Sequence, residues 1–480
     1  MPRALAVAIV VLALLLAIPH ADTQAQDEVE VKTRWVAYIN PTDGDDYAYG
    51  VCVFGDYIAV VGWVSELPLY VSRPYVALLR KSDGGVAREW IGSERGAFYN
   101  CISIGGKLYA VGYTGIGTSN YGVIYVFDEN LNVLARVTGE RNSGYSSPAY
   151  DGKALYVGGW TFEDVNGDRI PEFVWLVEKR ALDGGLRLVN SKKIYFNPLQ
   201  EAWISDIGVD PSTGRIWAVG LYNRFNSLIV IFDSDLRELK RIGYPEGSEG
   251  HLGELYGIAF DGRQHAYIVG QYGVAKFTVD GELVAINRGV RAIKIVYGYG
   301  HLYTFGVEEI GGYQRHVLHI HDTNLNLAKR YVLSENVSAR SSFLVGRPAL
   351  EGNNIYVAGF DRALGDARVV VYSLSIEGAM ATTVTGTEGV TTTETATTVA
   401  TVATVTTTTT VTETTTVTEI VTITMSVLTT VTTTTTTPVY ITVPTTITVS
   451  DGALTQLIVA GLASIGVVLA IALLLLRRRK

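Results

Sequence analysis

The sequence predicts an all-β fold, a seven-bladed β-propeller, followed by an extended threonine-rich stalk and one transmembrane helix. An apolar run that ends in glycine recurs seven times and indicates the propeller. A segment composed mostly of threonine indicates the stalk, and a long apolar stretch near the C-terminus indicates the helix. These features together predict an exported protein that is held at a membrane by its tail.

The recurring run has the same form in every copy. The seven copies are YIAVVGW (57–63), LYAVGY (108–113), LYVGGW (155–160), IWAVGLY (216–222), AYIVGQY (266–272), LYTFGV (302–307) and IYVAGF (355–360). Their marker glycines are Gly62, Gly112, Gly158, Gly220, Gly270, Gly306 and Gly359. The markers lie about 50 residues apart, which is a length typical of one propeller blade.

Each copy is flanked by signals of antiparallel strands. A glycine-bearing turn such as Phe54-Gly55-Asp56 precedes the marker, and a strand such as VIYVFD (123–128), an Asp-containing turn and a last strand follow it. Four short strands per repeat predict a propeller blade, with an eight-bladed ring or a sandwich as the alternative.

The seventh copy lacks an outermost strand. It supplies an inner strand near 342–347 and strands near 355–360 and 368–375, after which the threonine-rich segment begins. The N-terminal segment 28–39 alternates as a strand does. We therefore expect this segment to complete the last blade and close the ring.

The motif G-G-W at Gly158, Gly159 and Trp160, with the repeated I/L-Y-V-x-G, resembles kelch-like and related seven-bladed β-propellers. The resemblance covers residues 29–376, although only one copy has the double glycine of kelch repeats. The whole layout also resembles archaeal cell-surface proteins that are anchored through threonine-rich stalks. It implies a propeller displayed outside the cell.

The two ends carry export and membrane signals. Residues 1–25 have Arg3 and a short apolar run before small residues, which predicts a signal peptide cleaved after Ala25. Residues 451–476 are mostly apolar, and 23 of them would span roughly 34 Å as a helix. The bases at 477–480 predict a cytoplasmic tail, and hence a single-pass type I protein of the cell membrane.

The segment 377–450 is the predicted stalk, and 26–376 is the predicted ectodomain. Of the 70 residues from 381 to 450, 36 are threonine and none is Lys or Arg, so no packed core can form there. The stalk would reach on the order of 200 Å if fully extended, and its threonines are candidates for O-glycosylation. A plain disordered linker is the alternative. The sequon at Asn336 predicts N-glycosylation.

The charge balance excludes one class of partner. Acidic residues outnumber basic ones by 47 to 39, for a net charge of −8. No basic excess is present to neutralise phosphates, so we expect no nucleic-acid partner.

Aromatic side chains recur before the marker glycines, where each inner strand begins. They are Tyr49, Tyr99, Tyr145, Trp203 and Tyr256. If they surround the mouth of the central channel, they offer flat apolar faces with polar tips to a sugar ring or a peptide. Packing between blades is the alternative role.

A short acidic loop in the third repeat is a candidate calcium site, and calcium is the only cofactor that the sequence suggests. Its predicted ligands are Asp164, Asn166, Asp168, the Ile170 carbonyl and Glu172, which place oxygens at alternate positions. The loop is similar to the short calcium loops of integrin-type propeller repeats. A plain hairpin turn with solvated acids is the alternative.

Cys52 and Cys101 are the two cysteines of the chain, and both fall on inner strands of neighbouring blades. Export to an oxidising compartment favours a disulfide between them, with two buried thiols as the alternative.

No linear catalytic motif is present, so no catalytic residue is assigned and we expect a binding protein rather than an enzyme. The predicted function is that of a membrane-anchored cell-surface binding or adhesion protein whose propeller face recognises a glycan, a peptide or an envelope component. The alternatives are an extracellular propeller enzyme acting on polysaccharide and a structural component of the envelope.

Overall fold

The protein is described by a computed structural model that covers residues 29–66, 71–116, 119–169, 171–196, 201–223, 226–334, 346–364 and 366–377. In this part of the chain the strands form seven four-stranded antiparallel sheets, which confirms the predicted all-β seven-bladed propeller. The predicted signal peptide, stalk, transmembrane segment and tail lie outside the described residues, as does Asn336. Within them, no helix is long and apolar enough to cross a membrane.

The strands follow one another in chain order, from the axis of the propeller outward in each blade. The chain begins with β1 (Glu30–Ile39). Blade 1 contains β2 (Asp46–Phe54), β3 (Tyr57–Glu66), β4 (Val71–Arg80) and β5 (Val86–Ile91). Blade 2 contains β6 (Arg95–Ile104), β7 (Lys107–Ile116), β8 (Ser119–Phe127) and β9 (Val133–Arg141). Blade 3 contains β10 (Ser143–Tyr150), β11 (Ala154–Glu163), β12 (Glu172–Ala181) and β13 (Leu188–Ile194).

The second half of the ring repeats this order. Blade 4 contains β14 (Trp203–Val209), β15 (Ile216–Tyr222), β16 (Asn226–Phe232) and β17 (Glu238–Tyr244). Blade 5 contains β18 (Leu255–Phe260), β19 (His265–Gly270), β20 (Gly273–Thr278) and β21 (Leu283–Asn287). Blade 6 contains β22 (Lys294–Gly298), β23 (His301–Ile310), β24 (Tyr313–His321) and β25 (Leu327–Val332). Blade 7 contains β26 (Ala349–Glu351), β27 (Asn354–Leu364) and β28 (Asp366–Glu377), with β1 as its fourth strand.

The N-terminal strand closes the ring, as the alternating segment predicts. Strand β1 pairs antiparallel with β28 from Glu30 opposite Glu377 to Ile39 opposite Val369. The edge of β28 is therefore covered by a strand more than 300 residues away in sequence. This pairing joins the two ends of the propeller and leaves blade 7 with the same four strands as the others.

The innermost strand of blade 7 lies later in the chain than 342–347. The paired strand β26 begins at Ala349, which lies opposite Tyr356, and Arg347 instead makes an isolated parallel bridge with Gly50 of blade 1. Residues 342–345 lie outside the described part. The predicted position is corrected because the ladder with β27 begins only beyond Pro348.

The marker glycines lie where two strands come unusually close. A Cβ atom on Gly62 would lie 1.8 Å from the carbonyl oxygen of Tyr47, and one on Gly112 would lie 1.9 Å from that of Ala97. The same collision with the neighbouring inner segment recurs at Gly159 (1.9 Å), Gly220 (2.1 Å), Gly270 (2.7 Å) and Gly306 (2.3 Å). Glycine is required there because any side chain would displace the backbone of the innermost strand.

In blade 3 the structurally equivalent glycine is Gly159 and not Gly158. Gly159 lies opposite Tyr145 and faces the carbonyl oxygen of Gly144, whereas Gly158 faces the side chains of Ile204 and Ile207 in blade 4. The double glycine made the marker ambiguous in sequence. The predicted marker Gly158 is therefore wrong by one residue. The same shift of one residue affects the lining residue that the sequence predicts for this blade.

The substitution Gly112→Ala tests this close approach. We expect it to destabilise the fold by about 3 kcal/mol or more, because the atom in its way belongs to the backbone of β6 and cannot rotate aside. The matched control is Gly115→Ala in the same strand, where the nearest atoms are in the flexible Arg95 side chain at 3.4 Å or more. The control should change the free energy of unfolding by only about 0.5 kcal/mol. Equal losses for both variants in urea unfolding would contradict the proposed role of the glycine.

Three histidines of blade 6 are buried as packing residues. His321 lies opposite Leu302, the position at which blades 2 and 4 place Phe127 and Phe232, and all of these side chains are fully buried. His316 and His319 are also buried, and their rings contact Tyr372 and Glu308. Burial, together with the neighbouring His319, lowers the pKa of His321 to about 4.

The burial of His321 predicts a pH-dependent stability. Its folded pKa lies below the ordinary value of 6.5, so the unfolded chain takes up a proton first as the pH falls. The stability should therefore be complete above pH 6.5 and decline as the pH falls towards 4, by on the order of 3 kcal/mol for this group.

The variant His321→Phe should flatten this decline when unfolding is followed in urea between about pH 7 and pH 4.5. The part of the decline that comes from His316 should remain in this variant, because burial also lowers the pKa of His316 to about 4. An unchanged slope in the variant would show that His321 does not titrate in this way.

Candidate binding site

A cavity of about 670 Å³ opens on the axis of the propeller. Its walls come from blades 1 to 6, chiefly from the innermost strands and the segments that precede them. The lining residues are Tyr49, Tyr99, Asn100, Tyr113, Asn120, Ser146, Trp160, Phe162, Phe173, Trp203, Ile204, Ser205, Glu254, Tyr256, Ile293 and Lys294. The volume is in the range of small-molecule sites, and half of the lining side chains are aromatic.

The cavity is lined by the bulges of the innermost strands. In five blades the ladder between the first and second strands skips one residue, and the skipped residues are Tyr49, Tyr99, Ser146, Ser205 and Tyr256. All five line the cavity. A β-bulge releases one residue from the alternation of the strand and re-aims its side chain. Each bulge here lies beside a marker glycine, so the repeat itself builds the wall of the site.

Four of the five predicted aromatic residues lie together in this cavity. Tyr49, Tyr99 and Tyr256 are bulge residues, while Trp203 stands two residues before the bulge of its own strand. The prediction is wrong for Tyr145, which is fully buried and whose hydroxyl donates to Glu178 at 2.8 Å. Its neighbour Ser146 takes the lining position, because the register of blade 3 is set by Gly159.

Aromatic rings contact one another around the cavity, so its walls are held before a ligand arrives. Tyr99 lies 5.4 Å from Tyr49 and 5.7 Å from Trp160 between ring centroids, both edge to face. On the other side, Phe173 lies 4.2 Å from Phe162 and 6.0 Å from Trp203. Such contacts stabilise aromatic clusters beyond the burial of their area. The sequence prediction missed Tyr113, Trp160, Phe162 and Phe173, which lie on second and third strands.

Two oppositely charged residues line the cavity. Glu254 accepts hydrogen bonds from Trp203 Nε1 at 2.8 Å and Ser205 Oγ at 3.4 Å, and Lys294 Nζ donates to the carbonyl oxygen of Tyr256 at 2.6 Å. Burial raises the pKa of Glu254, and these hydrogen bonds and the charge of Lys294 oppose the rise. Burial also lowers the pKa of Lys294, against the attraction of Asp206 and Glu254. The cavity therefore has no excess of either charge while both groups are ionised.

Below the aromatic wall, polar side chains cross the axis from blade to blade. The side-chain amide of Asn100 donates through Nδ2 to Ser147 Oγ at 3.2 Å, and Ser147 Oγ donates to Asp206 Oδ1 at 2.6 Å. Asp206 also accepts from the backbone of Ile258 at 3.2 Å, and its Oδ1 lies 3.8 Å from Arg347 Nη1. A buried carboxylate with this many partners is satisfied, so Asp206 links blades and does not face a ligand. The sequence carried no motif for this network.

The predicted metal-binding loop joins β11 to β12, directly beside Phe162 and Phe173. Carboxylate oxygens of Asp164, Asp168 and Glu172 lie within 4.8 Å of one another. The side chain of Asn166 is engaged within the loop, since its Nδ2 donates to Asp168 Oδ2 and its Oδ1 accepts from the Asp168 backbone. The fifth predicted ligand, Ile170, lies outside the described residues.

A disulfide joins the two cysteines between blades 1 and 2. Cys52 of β2 and Cys101 of β6 have Cα atoms 6.1 Å apart, and both side chains are buried. Cys52 lies opposite Ala59 and Cys101 opposite Ala110, one residue out of phase relative to the two marker glycines. That offset lets the side chain of one inner strand meet the side chain of the next across the blade boundary.

No protein-family model matches the chain, and no curated protein matches it. Similar solved structures include the WD40 domain of Neurospora crassa Pan2, with a TM-score of 0.47 and 8% identity over 71% of this chain and 95% of that one. Two structures of Sqt1 from Chaetomium thermophilum have TM-scores of 0.44 and 0.45 and identities of 10% and 11%. They cover 72% and 73% of this chain and 99% of their own length. At these identities the likeness concerns the fold alone.

Proposed function

We propose that this chain is a membrane-anchored cell-surface recognition protein whose propeller binds a neutral saccharide in the cavity on its axis. The observation that carries the proposal is the composition of the cavity wall, where eight aromatic side chains surround a balanced pair of charges. The aromatic faces suit the apolar faces of sugar rings. Asn120, Ser146 and Ser205 add hydrogen-bonding groups for hydroxyls.

The charges favour a neutral ligand over an ionic one. Glu254 would attract a cationic peptide side chain, but Lys294 lies in the same wall and would repel it. An anion would be attracted by Lys294 and repelled by Glu254. A saccharide hydroxyl can donate to Glu254 and accept from Lys294 at once, so it uses both groups without leaving either unpaired.

The same wall favours binding over hydrolysis. Glycoside hydrolysis needs two carboxyl groups on either side of the bond that is cleaved. Glu254 is the one carboxylate among the described lining residues, and Asp206 is occupied by its own hydrogen bonds. A polysaccharide-cleaving enzyme therefore has less support than a recognition protein. Under this proposal, an envelope component would be the ligand that the propeller binds.

Ligand binding can be measured on a glycan array and a peptide array, using the full chain in detergent and the fragment 26–377, which contains all seven sheets and the closing strand. We expect saccharides to bind. Tyr99→Ala and Trp203→Ala should each lower the affinity by on the order of tenfold or more, as central aromatic contacts do. Tyr313→Ala, at an exposed aromatic outside the cavity lining, is the matched control.

Binding of peptides in place of saccharides would overturn the assigned ligand class. Saccharide binding that survives both cavity substitutions would place the site elsewhere on the molecule. Near-ultraviolet circular dichroism of each variant separates loss of contact from loss of folding.

The membrane part of the proposal is supported by the sequence of the two ends. The apolar stretch 454–476 and the bases that follow it favour a span with the propeller outside. Protease treatment of intact cells should then release the propeller and leave a fragment that contains residues 451–480 in the membrane fraction. Recovery of the full chain after this treatment would contradict the predicted topology.

A further inference from the structure

We propose that the hairpin between β11 and β12 binds a calcium ion through Asp164, Asp168 and Glu172, and that the ion fastens the hairpin that carries one wall of the axial cavity. The site is independent of what the cavity binds. It rests on the chemistry of a buried glutamate and on the position of the hairpin.

Glu172 is the residue that distinguishes this loop from a solvated acidic turn. Its side chain is only 6% exposed, although it begins a strand next to an exposed loop. Its Oε2 accepts a hydrogen bond from the backbone of Val165 at 2.6 Å, which orients the carboxylate towards the loop. Its Oε1 is buried and has no hydrogen-bond partner among the residues that the structure describes. A buried carboxylate oxygen without a partner costs free energy, and a cation would remove that cost.

The other two carboxylates are held in place by the loop backbone. Asp164 accepts hydrogen bonds from the amides of Gly167 and Arg169 at 2.7 and 2.9 Å. The loop folds back because Gly167 and Arg169 both adopt positive φ angles, 81° and 68°. An arginine in this conformation is uncommon. The turn thus brings Asp164 and Asp168 to the side on which Glu172 stands.

The spacing of the oxygens suits calcium. Ca²⁺ binds oxygens at about 2.3 to 2.6 Å, so ligands on opposite sides of one ion lie about 4.6 to 5.2 Å apart. The three carboxylates here fall within 4.8 Å of one another. Mg²⁺ demands a near-ideal octahedron and is usually held by one or two carboxylates, whereas Ca²⁺ accepts several carboxylates in a flexible geometry. The donors are all oxygens, which suits a hard cation and not zinc or copper.

The ion would act on the cavity through the two strands that meet at the loop. Glu163 pairs with Glu172 and Phe162 with Phe173, so the residues that flank the loop are the last paired residues before it. Phe162 and Phe173 line the cavity, and Phe173 contacts Trp203 of blade 4. Three carboxylates this close together repel one another, and a shared cation would replace that repulsion by attraction and hold the end of the hairpin together.

Calorimetric titration of the full chain in detergent with calcium alone tests the site, from about 10⁻⁵ to 10⁻² M after removal of metal with a chelator. The wild-type chain should bind one ion there and unfold at a higher temperature in its presence. Glu172→Gln and Asp164→Asn keep the shape of the side chains and should weaken binding by on the order of tenfold or more. Asp183→Asn, in the turn at the other end of β12, is the matched control and should bind as the wild type does.

A second readout reports on the hairpin itself. Arg169 is an exposed trypsin site in the loop, and Arg187 is an exposed site in the turn between β12 and β13. Calcium should slow cleavage after Arg169 but not after Arg187, and Glu172→Gln should abolish the difference. Should that variant fail to fold, Asp168→Asn at an exposed position replaces it.

The proposal is overturned if the wild-type chain binds no calcium in this range. It is also overturned if Glu172→Gln binds calcium as the wild type does, or if both arginines are protected equally. Loss of saccharide binding alone bears on the proposed function and leaves this test unchanged.

Discussion

In blades 1 to 5, the close approach at the marker glycine determines how the innermost strand meets the axis. The marker glycine lies on the second strand and faces a carbonyl oxygen of the inner segment. The residue that carries this oxygen comes two positions before the bulge residue. In blade 2, for example, Gly112 faces Ala97 and the released residue is Tyr99. Because the ladder cannot continue regularly past this point, one residue leaves the alternation, and its side chain faces the cavity. The repeat that folds the propeller thereby also positions its binding residues.

Below the bulges, polar and charged side chains of several types connect the blades across the axis. Asn100, Ser147 and Asp206 follow the bulge residues of blades 2, 3 and 4, and they interact with one another, with Lys294 and with Arg347 by hydrogen bonds and charge. Gly50 and Gly257 take this position in blades 1 and 5. A Cβ on Gly50 would lie 2.7 Å from the Cα of Asn100, so the inner strands of blades 1 and 2 approach closely there. The disulfide between Cys52 and Cys101 lies at the same boundary.

The two lateral walls of the cavity differ in how they are secured. Tyr49 and Tyr99 belong to inner strands, whose position is fixed by the ring closure and by the marker glycines. Phe162 and Phe173 belong to a hairpin that projects from blade 3 and ends in the acidic loop. A projecting hairpin has fewer packed neighbours than an inner strand and opens more readily. Neutralising its end with a cation is one physical means of holding that wall against Trp203.

The sequence alone determined the blade count, the closing role of the N-terminal strand and four of the eight aromatic residues that line the cavity. It could do so because these features depend on local constraints, such as alternation along a strand and a glycine at a close approach, which recur in every blade. In blade 3 the local signal was ambiguous, since either glycine of the pair Gly158-Gly159 fits the pattern. Only the tertiary register assigns Gly159 to the close approach, which buries Tyr145 and places Ser146 in the cavity.

Only the tertiary structure could bring together residues that the repeat does not align. Trp160, Phe162 and Phe173 reach the cavity from second and third strands, and Glu254 meets Trp203 and Lys294 across two blade boundaries. The sequence offered oxygens for a cation in the acidic loop, but it could not show that Glu172 is buried with one oxygen unpaired. Periodic patterns encode how a strand pairs with its own neighbours. Contacts between blades depend on the closed ring, which brings together side chains that have no fixed separation in sequence.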